Sequence, residues 1–259
     1  MTTSANAADL DAVIAIAREA GREIMRVYGG ATIASERKAD GSPVTAADHA
    51  AERLIVAGLR KLDPGTPILS EELVERGEVP EVGDRPFWCV DPLDGTKEFI
   101  ARTGEFVVCI ARVEARAPVL GVVHAPVLDT SYAGAGSGTA LKIVGDRPGH
   151  AIQTRAVPPA GAVALDSRSH RDGAELDRWL AQHTIAERRV CGSALKFGLV
   201  AEGVADLYVR FGPTSEWDTA AGHAVLEAAG GSVRTLDGAP MLYAKARFLN
   251  AGFIARGRA

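Results

Sequence analysis

Apolar residues recur near the start of the chain at steps of three and four: Leu10, Val13, Ile14, Ala17, Ala20, Ile24 and Val27. That period predicts an amphipathic helix over residues 10–28, ended by Gly29-Gly30. A second helix is expected over 45–62, stopped by Asp63-Pro64-Gly65. The pattern then shortens. Residues 68–69 and 87–90 read as strands, and the apolar runs 106–113 and 119–123 as an antiparallel hairpin turned by the polar stretch 114–117. The small, glycine-rich stretch 130–140 reads as a strand and turn.

Pro158-Pro159-Ala160-Gly161 interrupts this order. Beyond it strands alternate with helices: strands at 163–165, 189–191 and 206–210, helices at 174–182, 193–202 and 219–229, the last closed by Gly230-Gly231. Such alternation implies a layered α/β arrangement. The expected division is an N-terminal α+β part, 1–157, and a C-terminal α/β part, 158–259.

The chain has 259 residues, 47% apolar and 24% charged, enough apolar material for a large core. A net charge of −4 offers no general basic surface to nucleic acid or anionic lipid. Residues 1–9 are polar and lack an apolar signal region. No apolar run approaches the roughly 20 residues of a membrane span. Cys89, Cys109 and Cys191 lack zinc-ligand spacing and are expected as buried free thiols. A cytoplasmic monomer or homodimer fits, with peripheral association at the inner membrane left open.

The most informative run is Trp88 to Glu98, W-C-V-D-P-L-D-G-T-K-E. Pro92 biases Asp91 toward an extended conformation, so Asp91 sits at a strand end while the chain turns. Gly95 permits a tight bend. Such a turn aims Asp91, Asp94 and the carbonyl of Leu93 at a common space, with the amides of Gly95 and Thr96 facing a phosphate. Taken alone, Asp-Pro-Leu-Asp-Gly reads better as a solvated turn. An acidic pair upstream, Glu71-Glu72, and Trp217-Asp218 downstream change that balance. Carboxylates from three separated segments suit a hard divalent cation such as Mg2+, which keeps several waters and needs few protein groups. Asp48 and Asp218 also have a capping reading, at the helices expected near Thr45 and Thr219.

The run D-P-L-D-G-T-K-E-F-I resembles the inositol monophosphatase superfamily, as do S-E-E, P-V-T-A-A-D and W-D-T-A-A-G-H-A-V around it. The motifs occur in the expected order from Pro43 to Gly231. The resemblance implies a layered αβαβα sandwich of the inositol monophosphatase and fructose-1,6-bisphosphatase type, with the cleft between the two parts. It further implies a magnesium-dependent, lithium-sensitive phosphomonoesterase. Glu71, Asp91, the carbonyl of Leu93, Asp94 and Asp218 would hold Mg2+. Asp48 and Thr96, with Glu71, would activate water, and the Gly95 and Thr96 amides would bind the scissile phosphate.

Ser169-His170, S-A-L-K-F and Y-V-R-F-G-P resemble the 3′(2′),5′-bisphosphate nucleotidase branch. By that match Ser193, Lys196 and Arg210 would grip the second phosphate or the ribose, and His170 would lie against the nucleotide. The implied small-molecule substrate is adenosine 3′,5′-bisphosphate, a by-product of sulfate-donor metabolism, with its 5′-phosphosulfate relative as a further candidate. A second dianion suits two added cations. The alternatives are an inositol monophosphatase or broad sugar-phosphate phosphatase on the same scaffold, and a non-catalytic binding protein. The inositol branch reads hydroxyls with an acid shortly before Trp-Asp, a place where Glu216 is the stand-in. Cys191-Gly192-Ser193-Ala194, with smaller residues than the resemblance leads one to expect, is expected to loosen base recognition or widen the substrate range.

Overall fold

Two helices, α1 (Ala7–Tyr28) and α2 (Ala46–Leu62), open the fold and pack on each other. The buried face of α1, from Leu10 to Ile24, is the one the spacing predicts; α2 buries Ala47, Ala51, Ile55 and Leu59. The computed structural model describes residues 7–38, 41–169 and 173–258. A hairpin of β1 (Ser35–Arg37) and β2 (Pro43–Thr45) links the two helices.

The pair covers one face of a seven-stranded sheet. Its strands follow chain order: β3 (Ile68–Ser70), β4 (Phe87–Asp94), β5 (Val107–Glu114), β6 (Ala117–Ala125), β7 (Thr130–Gly134), β8 (Leu141–Val144) and β9 (His150–Ala151). Only β3 and β4 run parallel; the later neighbours are antiparallel. Short helices α3 (Glu71–Glu75) and α4 (Thr96–Ile100) start where β3 and β4 end.

The second sheet is five-stranded, in the order β11 (Ile185–Cys191), β10 (Ala162–Ser167), β12 (Leu207–Arg210), β16 (Phe253–Arg256), β14 (Ser232–Thr235). A two-stranded pair, β13 (Thr214–Ser215) with β15 (Leu249–Asn250), stands beside it. Helix α5 (Gly173–Leu180) packs on the outer face through Leu176 and Leu180. Helices α6 (Leu195–Ala201) and α7 (Trp217–Ala228) lie between the two sheets, where one continuous core joins Val107, Cys109 and Val123 to Phe197, Val225 and Phe253. The layers are therefore α, β, α, β, α. A helix covered on both sides must be apolar all round, and α7 buries Ala220, Ala221, Ala224, Val225, Leu226 and Ala228. Its backbone approaches β6 at Gly121, where a Cβ would lie 2.3 Å from the Ala221 carbonyl oxygen.

Three departures from the expected elements concern the site. Strand β4 does not stop at Val90 but continues through Pro92 to Asp94. Helix α7 starts at Trp217, so Asp218 lies in its first turn rather than ahead of it. Strands β14 and β16, unanticipated in the sequence, complete the second sheet on the far side of β12.

Candidate active site

The extension of β4 decides where two acids point. Asp91 pairs with Cys109 and Asp94 with Val107, so three steps on β4 match two on β5. One extra residue makes a bulge, and Pro92, which lacks an amide hydrogen, sits inside it. In a regular strand residues three apart face opposite sides. The bulge returns Asp94 to the face of Asp91, toward the α6–α7 layer. Asp91 Oδ1 accepts the Leu93 amide at 3.0 Å, which fixes the bend. Gly95 follows at φ 98, where a Cβ would press on Glu105 O at 3.1 Å.

A cavity of about 270 Å³ opens there. Glu71 enters from the start of α3, Asp91 and Asp94 from the bulge, and Asp218 from the first turn of α7. The acids act on one another. Burial pushes Asp91 well above the usual carboxylate range, and Glu71, Asp94 and Asp218 push it further. Asp218 is raised by burial and then by Asp94 and Glu71. Burial brings Asp94 to about 6 against the pull of the Ala194 amide, Lys196 and Arg210. Glu71 stands at about 7, raised by burial and held back by Lys38. Segments on both sides of the Pro158 break thus gather at one pocket. Asp218 Oδ2 accepts the Ser215 amide at 2.9 Å, so its bond runs backward to β13 and does not cap the helix.

Mutually repelling buried acids suit a divalent cation, whose charge would offset their repulsion. Among the described residues no three acid, histidine or cysteine side chains already close around one point. A hard cation that keeps waters and takes one or two carboxylates plus a substrate phosphate fits such a set. Lys38, which nothing in the sequence analysis singled out, puts its ammonium 2.5 Å from both Glu71 Oε1 and Glu72 Oε1. Its partners lie 33 and 34 positions away, with no local signal to join them.

Asp48 serves two structures at once. Its Oδ2 accepts the amide of Thr45 at 2.8 Å and the hydroxyl at 2.7 Å, closing a capping box at α2. Its Oδ1 accepts the Thr96 hydroxyl at 3.1 Å. Burial raises the Asp48 carboxyl above its ordinary range.

The cavity also holds Ser193, Lys196, Tyr208 and Arg210. Lys196 is 2% exposed. Its ammonium donates to the carbonyls of Ser193 at 2.6 Å and Cys191 at 3.1 Å, and lies 4.8 Å from the Tyr208 ring centre. Burial lowers its pKa, while Asp94 and Glu98 pull it up. Two of its three N–H groups thus brace the loop before α6. Gly192 does not widen the pocket. A Cβ there would meet Glu105 O and Glu98 Cγ at 2.8 Å, so its smallness lets the loop close on α4 and β5. His170 lies outside the described residues; its neighbour Ser169 donates to Glu98 Oε1 at 2.5 Å. Glu98, buried on the cavity wall, was also unforeseen.

Glu216 does not stand in for a hydroxyl-reading acid. It is fully buried, does not line the cavity, and accepts the amides of Ala244 and Lys245 at 2.8 and 3.0 Å. All three cysteines are free and buried. Among the described residues no helix is long and apolar enough to cross a membrane.

This fold, with acids converging between its halves, is that of a phosphatase class, and comparison with known proteins agrees. The chain belongs to the inositol monophosphatase family, whose model matches residues 6–257. Members of this family are generally metal-dependent. The chain is 50% identical over 246 residues to the 3′(2′),5′-bisphosphate nucleotidase CysQ of Escherichia coli (strain K12), covering 94% of this chain and 98% of that protein. The CysQ protein of Salmonella typhimurium (strain LT2) matches to the same extent. Among solved structures, CysQ from Bacteroides thetaiotaomicron superposes with a TM-score of 0.80 at 37% identity, over 97% of this chain and 98% of that one. An IMPase from Thermotoga maritima gives 0.76 at 28%, over 95% and 91%.

Proposed function

We propose that this chain is a magnesium-dependent 3′(2′),5′-bisphosphate nucleotidase. It hydrolyses the 3′-phosphate of adenosine 3′,5′-bisphosphate, water supplying the incoming oxygen, to give AMP and inorganic phosphate. One observation supports this reading best: four mutually repelling acids share a single cavity with the buried cations Lys196 and Arg210. The identity to nucleotidases, spread over nearly the whole chain, supports the same substrate.

Glu71, Asp91, the Leu93 carbonyl, Asp94 and Asp218 would hold the magnesium ions. Bound magnesium lowers the pKa of water and neutralises charge on the attacking and leaving oxygens. The residues do the rest. The Thr96 hydroxyl gives its hydrogen to Asp48 Oδ1, which leaves its lone pairs to accept from the attacking water. Asp48 draws the proton along that line. The amides of Gly95 and Thr96 orient the scissile phosphate, since phosphoryl transfer asks mainly for positioning and charge stabilisation. Lys196 and Arg210, with Ser193, face the 5′-phosphate and ribose. His170 keeps the nucleotide-facing role that the resemblance implies.

The inositol-phosphate alternative loses its acid, because both Glu216 oxygens are engaged away from the cavity. Three buried free thiols support a reducing compartment, the cytoplasm. A substrate comparison tests the reading. Phosphate release from adenosine 3′,5′-bisphosphate should exceed that from inositol 1-phosphate. In Lys196→Met it should fall on the order of tenfold or more for the bisphosphate, as loss of a charged hydrogen-bonding group implies, and less for inositol 1-phosphate. Equal or reversed preference in the parent chain refutes the proposal.

A further inference from the structure

The segment that carries Asp218 is held from behind. Residues 214–219 run from β13 into the first turn of α7 along the cavity, with Glu216 turned away from it, and a loop at 243–250 grips them. Glu216 Oε1 accepts the Lys245 amide at 3.0 Å and its ammonium at 2.7 Å, while Oε2 accepts the Ala244 amide at 2.8 Å. The amide of Glu216 donates to Phe248 O at 2.8 Å. Asn250 Nδ2 lies 3.1 Å from Thr214 Oγ1, 3.1 Å from Ser215 O and 3.0 Å from Thr219 Oγ1. The Tyr243 hydroxyl lies 3.3 Å from Thr219 Oγ1 and 3.0 Å from His223 Nδ1.

Three residues of this loop are strained. Ala244, Arg247 and Phe248 have φ of 58, 64 and 52, a left-handed region that residues with a Cβ rarely enter. Consecutive amides turned to one side form a concavity that binds an anion. The Glu216 carboxylate is that anion, buried and neutralised by Lys245. The same loop reaches the first sheet. The Tyr243 amide donates to Arg116 O at 3.0 Å, and Arg116 Nε donates to Tyr243 O at 3.1 Å. Arg116 lies in the turn joining β5 to β6, and β5 is the neighbour of the strand bearing Asp91 and Asp94. A continuous path therefore runs from the first sheet through Tyr243 and Glu216 to Asp218.

We infer that Glu216 is a positioning residue for the cation site: loop 243–250 folds around its carboxylate and sets Asp218 against Asp91 and Asp94. The inference rests on the metal role proposed for those acids. Groups that orient metal ligands affect affinity as well as stability.

Magnesium binding measured by calorimetry, without substrate, tests it in the parent chain and in Glu216→Gln. Glutamine keeps the size but turns an amide donor toward a backbone donor. A folded Glu216→Gln should bind magnesium about tenfold more weakly or worse, and its melting temperature should rise less on adding magnesium. A purely structural residue would lower the melting temperature with and without metal and leave affinity unchanged; that result overturns the inference. Should Glu216→Gln fail to fold, Lys245→Met removes one donor and keeps both amides. It should weaken binding in the same direction, by a smaller factor, and unchanged affinity there also overturns the inference. Absence of magnesium binding in the parent chain would instead remove the metal reading on which it rests.

Discussion

Thr96 Oγ1 and Asp48 Oδ1 lie 3.1 Å apart, joining the turn after β4 to the first turn of α2 across 48 positions of chain. The other Asp48 oxygen is fully occupied by Thr45. The helix cap thereby orients the hydroxyl proposed to orient the water. Asp48→Asn keeps an oxygen for one of these partners, so the fold should survive. Turnover should fall on the order of a hundredfold or more, the usual scale of a lost general base. Thr96→Val should lose as much, and the double variant little more, because groups acting as a unit are not additive. Independent, multiplying losses in steady-state rates would separate the two residues.

Clustered acids cost stability when no cation is bound. In Asp91→Asn one repelling charge goes, while the amide oxygen can still accept from Leu93. The variant should lose turnover yet melt higher than the parent chain in chelator. A gain of about 1 kcal/mol corresponds to roughly 2–4 °C for a chain near this size. Added magnesium should raise the parent but not the variant. A lower metal-free melting temperature in Asp91→Asn would contradict the mutual repulsion of these acids.

His124 supplies a pH dependence remote from the cavity. It is 3% exposed, and its Nδ1 lies 2.9 Å from Ser131 Oγ. Burial depresses its pKa to about 4, with Arg18 and Arg22 lowering it and Asp129 raising it. The unfolded chain takes up the proton first as pH falls, so this stability is complete above about 6.5 and drains away toward 4. At pH 5 the loss from this one group is roughly 2 kcal/mol. His124→Gln should narrow the gap in denaturant midpoint between pH 8 and pH 5. An unchanged gap would show that His124 is not buried as a neutral ring.

What the sequence carried and what it did not follows from the range of the interactions. The three-and-four spacing of α1 and the Asp63-Pro64-Gly65 stop after α2 are local signals, and both helices match their expected bounds within a few residues. The acids are legible because each sits in its own short motif. Pro92 concealed the true length of β4, since proline in an apolar run normally marks its end and here marks a bulge. Lys38 and Glu98 gave no local sign, since each meets a partner brought near by the fold, such as Ser169 for Glu98, 71 positions on; Glu216 was legible only as an acid beside Trp217, and its partners Ala244 and Lys245 were not. The burial of Lys196 was not legible, because a helix position alone does not reveal a second sheet above it.

The most direct test is product analysis with adenosine 3′,5′-bisphosphate, in magnesium and in excess chelator. AMP and inorganic phosphate should form together in magnesium and stop in chelator. Release of adenosine 3′-phosphate, or undiminished turnover without a divalent ion, would contradict a cation-dependent attack on the 3′-ester.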